Sequence, residues 1–132
     1  MSLSEEERLA IVAYRKQKAS IAMHEAEDVA TLEHWNLVAN RLYYACYYMA
    51  SALLISKGFQ AQTHVGVLRL IGLHFVNQNL LSREEGRLFS RLFDMRQTGD
   101  YDDMFDLSRE DVTPYINPAK ELIRKMELLI GV

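Results

Sequence analysis

Two arginines stand where a helix should be apolar. Arg41 opens the run Leu42-Tyr43-Tyr44-Ala45-Cys46-Tyr47-Tyr48, and Arg96 closes Leu92-Phe93-Asp94-Met95. A guanidinium on a buried face must find an anion, a carbonyl or water, because an unpaired buried charge is costly. Asn40 adjoins Arg41, and Arg41, Tyr44, Tyr48 and Ser51 share one helix side; Arg96 has Asp100 four residues on and Tyr101 beside that. Two readings stand. Either structural ion pairs at Arg41 and Arg96 close the end of a bundle, or both arginines and the tyrosines line one polar pocket for phosphate and base. The second expects Arg41, Tyr44, Arg96 and Asp100 to meet at the ends of two helices, with His64 on the same rim.

Other chemistry-bearing residues signal less. His24, His34, His64 and His74 lie too far apart for a ready pair of helical metal ligands, and no Glu-x-x-His motif suggests a di-iron site. Cys46 falls inside the most apolar segment, where a thiol is a small hydrophobe without a base to activate it. Glycine-rich phosphate loops are absent from the sequence. No metal or other cofactor is expected. Arg83, Arg87 and Arg91 make a basic stripe at i, i+4 and i+8. It could hold phosphates, but a solvated face partly paired with Glu84, Glu85 and Asp94 is the more economical reading.

The elements that must position these residues read as helices. Ser4 before Glu5-Glu6-Glu7 is a helix start, and Val12, Arg15, Ala19, Ala22, Ala26 and Val29 form one narrow face, giving a helix over about 4–32. A second runs from about Trp35 to Lys57 and stops at Gly58; apolar nearly all round, it belongs at the centre. Thr63 opens a third helix, which reaches about Val76. Ser82 with Glu85 is a capping box for a fourth, buried by Leu88, Phe89, Leu92, Phe93 and Met95 and ended by Gly99. Tyr101 to Leu107 is an acidic connector. The last helix carries Tyr115, Ala119, Leu122, Met126 and Leu129. Either Thr113 caps it with Pro114 at its first position, or its first turns are kinked. The fold class is all-α: a five-helix antiparallel up-and-down bundle, with residues 1–132 forming one domain.

Composition agrees. The 132 residues are 49% hydrophobic and 25% charged, an ordinary globular mixture. One cysteine excludes an internal disulfide, and 15 basic against 18 acidic residues give a net charge of −3, so any nucleic-acid contact must be local. The longest apolar stretch, Leu42 to Ile55, is 14 residues with four tyrosines, short of the roughly 18 a membrane span needs. The acidic start is unlike a signal peptide. A cytoplasmic protein is expected, with no membrane association.

Several of these residues fall in a recognisable order. Asn40-Arg41-Leu42-Tyr43-Tyr44, then Ser56-Lys57-Gly58, then Thr63-His64-Val65-Gly66-Val67, then Arg91 to Arg96 with Asp100-Tyr101, resemble the HEPN family, a nucleotide-binding domain of higher eukaryotes and prokaryotes. The resemblance covers about Leu9 to Ile130. It implies an all-α bundle, a homodimer, and a small nucleotidyltransferase partner in a toxin–antitoxin-like system. Many relatives cut RNA without metal through an R-x(4–6)-H motif: the 2′-hydroxyl attacks, the arginine steadies the phosphate and the histidine moves protons. This sequence departs from that pattern. Arg96 takes the arginine's place, but no histidine follows it; Asp100-Tyr101 stands there instead. Arg69 to His74 fits the spacing literally, yet residues five apart on a helix point about 140° away from each other.

A module that binds nucleotide or RNA is therefore the leading expectation, with Asn40, Arg41, Tyr44, Tyr48, Thr63 and His64 as binding residues. The alternatives are a metal-independent endoribonuclease using Arg96, Asp100 and Tyr101, and a ligand-free helical scaffold.

Overall fold

In the computed structural model, residues 3–131 are described, and among them every regular element is a helix. Helix α1 (Glu5–Thr31) begins in a capping box. The Ser4 hydroxyl accepts from the Glu7 N–H at 3.1 Å, and the Glu7 carboxylate accepts from the Ser4 N–H at 2.9 Å. Its buried face is Val12, Ala19, Ala22, Met23 and Ala26, and these small side chains let it lie close along α2 (Trp35–Ser56). Arg15 stays on that face because its guanidinium donates to the Ser51 hydroxyl at 2.6 Å.

Helix α2 is the core of the bundle. Val38, Ala39, Leu42, Tyr43, Ala45, Cys46 and Leu53 are fully buried, and α1 and three later helices all pack on it. Gly58 ends it at φ +86°, in the left-handed region that glycine enters freely. Thr63 caps α3 (His64–Ile71) by accepting from the Gly66 N–H at 2.9 Å. The chain then runs on through a π-helical turn, Gly72–Val76, so the third helix does reach Val76, but in two geometries. The wider turn closes with the Asn77 N–H donating to the Gly72 carbonyl at 2.9 Å, and it buries Phe75.

Helix α4 (Arg83–Tyr101) starts in the expected Ser82–Glu85 capping box but passes through Gly99 and ends at Tyr101. The expectation that Gly99 is a stop is thus corrected. A Cβ there would stand 3.3 Å from the backbone of Asn36 and 3.2 Å from Leu107, so the glycine permits α4 to cross the start of α2. The last helix is broken into α5 (Arg109–Val112), a 3-10 turn at Thr113–Tyr115 and α6 (Ile116–Ile130). The kinked alternative holds. Ser108 caps α5, Pro114 falls in the tight turn, and Pro118 sits in the first turn of α6, where an amide N–H has no helical partner to lose. With α5 and α6 counted as one interrupted helix, the bundle is an antiparallel five-helix one. Among the described residues no helix is long and apolar enough to cross a membrane.

Candidate functional site

Arg96 reaches inward from the last turns of α4 and is only 6% exposed. Its guanidinium carbon lies 5.1 Å from the Tyr43 ring centroid, 5.4 Å from Phe93, 5.6 Å from Tyr44 and 5.9 Å from Tyr101. Four π-faces partly replace the lost water. The nearest carboxylate, Asp100, is 3.8 Å away, at the limit of an ion pair, and the buried Nε has no hydrogen-bond partner. The cation is confined but incompletely satisfied.

A chain of polar contacts runs from it in two directions. Towards α1, the Asn40 amide donates to Asp100 at 3.0 Å, and its carbonyl oxygen accepts from Arg41 at 2.9 Å and 2.7 Å. Arg41 in turn pairs with Glu25 at 3.1 Å and lies 5.3 Å from the Tyr44 centroid, so Tyr44 is flanked by both arginines. Arg41 also borders an open depression of 420 Å³ with Glu25, Asp28 and Leu37. Towards α3, the Tyr43 hydroxyl and His64 Nδ1 are 2.7 Å apart, and the imidazole lies tilted against Tyr47 with ring centroids 4.5 Å apart.

Electrostatics fix the protonation of that second arm. Burial pushes the Tyr43 phenol well above its ordinary range, and the Arg96 guanidinium beside it offsets only part of the rise. The phenol therefore keeps its proton, and its 2.7 Å contact with Nδ1 joins two neutral groups. Burial first, then the Arg96 charge, hold His64 below the usual histidine value of 6.5, so it is neutral at pH 7. The site thus offers a buried cation, a neutral imidazole N–H and a ring of phenols.

The structure brings together most of the residues singled out from sequence. Asn40, Arg41, Tyr44, Arg96 and Asp100 form one cluster, with His64 joined through Tyr43. Tyr101 is 69% exposed and touches the cluster only through its ring. Tyr48 stands one turn further along α2, its ring under the Lys18 ammonium at 5.0 Å. Thr63 is outside the cluster: its hydroxyl is spent on capping α3, which sets His64 in that helix's first turn. Two participants went unread. Tyr43 looked like a core residue, although a phenol on an apolar stripe must find a partner. Glu25 gave no local signal, since the arginine it pairs with comes from another helix. His74, the histidine of the literal R-x4-H match, stacks on Phe59 at 3.9 Å.

An all-helical bundle with a confined arginine at the end of a late helix defines a class, and comparison with known proteins gives the family. The model of the HEPN domain matches residues 12–129. A UPF0332 protein of Thermotoga maritima is 32% identical over 124 residues, which cover 94% of each chain. A protein of Methanocaldococcus jannaschii named "Putative toxin" is 28% identical over 122 residues, covering 87% of this chain and 83% of its own. A second protein of that organism with the same printed description is 36% identical over 61 residues, 46% of each chain. The chain belongs to the HEPN domain family.

Proposed function

We propose that this HEPN protein is a toxin-like module that binds a nucleotide or RNA at the Arg96 cluster. Residues 1–132 would act in the cytoplasm as one unit, as a homodimer, beside a small nucleotidyltransferase. The carrying observation is the Arg96 guanidinium, buried among four aromatic rings with an unpartnered Nε and one distant carboxylate. A phosphate oxygen would satisfy it bidentately. Tyr44, flanked by two cations, and Tyr47, tilted against His64, are the faces on which a base would lie. The relatives described as "Putative toxin" support the toxin-like assignment. The homodimer rests on α2, whose Tyr44, Tyr47 and Tyr48 remain only half-buried. Light scattering should give about twice 15.3 kDa, and a monomer at that mass would remove this part of the reading.

A second reading has its own observation. His64 reaches the Arg96 cluster from a different helix through a 2.7 Å contact with Tyr43. In metal-independent RNA cleavage the attacking 2′-hydroxyl loses a proton and the leaving oxygen gains one. An imidazole beside an arginine is the needed pair of groups. In the ribonuclease reading His64 works with Arg96, and Asp100 and Tyr101 supply the remaining proton contacts. One assay separates the two: a labelled RNA, free of metal, with wild type, Arg96→Ala and His64→Ala. Binding that depends on Arg96 without cleavage supports the first reading. Cleavage lost in both variants establishes the second, and binding indifferent to Arg96 leaves a structural brace.

A further inference from the structure

At the other end of α4 a second arginine group faces open space. Arg83, Arg87 and Arg91 line a cleft of 510 Å³ whose opposite wall is the end of α3 and the π-helical turn from Gly72. All three are exposed, and among the described residues none is in an ion pair. Of the neighbouring acids, Glu85 is taken by Lys125 at 3.0 Å and by the Ser82 N–H, while Glu84, exposed and three residues before Arg87, is among the described residues in no ion pair. The one carboxylate in the cleft is Asp94, at its far end, and Ser90 adds a hydroxyl between. Arg91 also donates to the Tyr115 hydroxyl at 3.4 Å, which ties it towards α6.

This arrangement is electrostatically unfavourable for the fold alone. The stripe begins at the first residue of α4, the positive end of the helix dipole. Each arginine has a like charge four residues away, the spacing at which cations repel, and the acids three residues off, Glu84 from Arg87 and Asp94 from Arg91, form no ion pair with them. In a chain of net charge −3, three uncompensated cations along one cleft form the local positive patch that composition alone could not supply. Successive guanidiniums rise about 6 Å along the helix, so they meet negative groups arranged in a row rather than a single ion.

We propose that this cleft binds a row of phosphate groups, presented by a single RNA strand or by a free polyphosphate such as a nucleoside triphosphate. The site is separate from the Arg96 cluster. It stands whether or not that cluster binds nucleotide.

The test uses the intact protein and a triple variant, Arg83→Gln with Arg87→Gln and Arg91→Gln. Binding of a labelled single-stranded RNA is followed by anisotropy between about 50 and 200 mM salt, with tripolyphosphate as competitor. Each single-strand phosphate contact contributes about 0.7 to the slope of log affinity against log salt, so the triple variant should lower that slope by about 2. Arg96→Ala, in parallel, should leave this part of the slope in place. The thermal midpoint of the triple variant should be unchanged or higher, since like charges leave the positive end of a helix. RNA that binds where tripolyphosphate does not compete identifies a strand as the source; tripolyphosphate binding directly with the same arginine dependence identifies a free polyphosphate. An unchanged slope overturns the proposal whatever Arg96→Ala does, as does wild-type protein that binds neither probe. A triple variant with a lowered midpoint also overturns it, because the arginines would then be structural.

Discussion

Arg87 and Arg96 occupy one helix, nine residues apart, in opposite surroundings. Arg96 is stripped of water, held among aromatic rings and short of one hydrogen bond. Arg87 stands in solvent at a cleft with two like charges a turn on either side. The buried cation has borne its desolvation cost during folding, so its interactions are strong per contact and weakly screened. The exposed group holds each partner weakly, adds its effects contact by contact, and fades with salt. One residue type on one helix thus stands in two electrostatic settings, dry and unscreened at one end and solvated and screened at the other.

That contrast is broken most directly by Arg96→Ala. Nucleotide or RNA affinity should fall by about 1.5–3 kcal/mol, the worth of a charge-assisted hydrogen bond, while the salt dependence changes by less than that of the stripe variant. A loss that vanishes at high salt would show Arg96 behaving like an exposed charge. Asp100→Ala should weaken binding less, or strengthen it, because a carboxylate 3.8 Å from the guanidinium competes with phosphate. Competition titration with the same oligonucleotide measures both.

Stability sharpens the comparison next. Asp100→Asn leaves a buried guanidinium without its counter-ion and should cost about 1–2 kcal/mol in urea unfolding, less than a fully buried pair because the carboxylate is partly exposed. Arg96→Met in the same background should recover most of that loss, since an apolar side chain of similar length needs no partner. If the double variant is no better than Asp100→Asn alone, the carboxylate acts through Asn40 rather than through Arg96.

The helices were legible because apolar spacing and caps are local: Ser4, Ser82 and Thr63 cap where their neighbours demand it. Gly99 misled because the same residue type serves a helix stop and a close crossing, and only the position of Asn36 tells them apart. The π-helical turn at Gly72, in which Phe75 is buried, is marked by no local pattern. Arg41 and Arg96 could be read as one site from the rule that buried charge needs company. The route to His64 could not, since Tyr43 spends its ring on the core and its hydroxyl on α3. The resemblance singled out Arg96, and the histidine joined to it through Tyr43, His64, comes earlier in the chain.

Tyr43→Phe tests that route at smaller scale. Removing the hydroxyl while keeping the buried ring should cost about 1 kcal/mol, the net worth of one hydrogen bond, and should leave His64 free to turn. Thermal unfolding gives the energy, and the imidazole carbon shifts of His64 report whether Nδ1 has lost its partner. A stability equal to wild type would make the 2.7 Å contact incidental.

The smallest effect is a pH dependence, and it separates the two arginine settings without a ligand. Burial and the Arg96 charge hold His64 below 6.5 in the folded protein, whereas the unfolded chain titrates near 6.5. As pH falls through 6.5 the unfolded state takes up a proton that the folded state resists, so stability declines. The decline ends once pH has passed below the folded value. Above 6.5 both states are neutral and the contribution is complete. Following His64 by NMR from pH 8 to about pH 5 should find its midpoint below that of a free histidine. Arg96→Met should move it upwards but not all the way, because burial remains the larger cause. Arg87→Gln should leave it where it is, since a solvent-exposed charge elsewhere on α4 is screened. A midpoint equally sensitive to both substitutions would mean that the field at His64 is set by the net charge of the helix, and the division of α4 into a buried and an exposed half would lose its electrostatic basis.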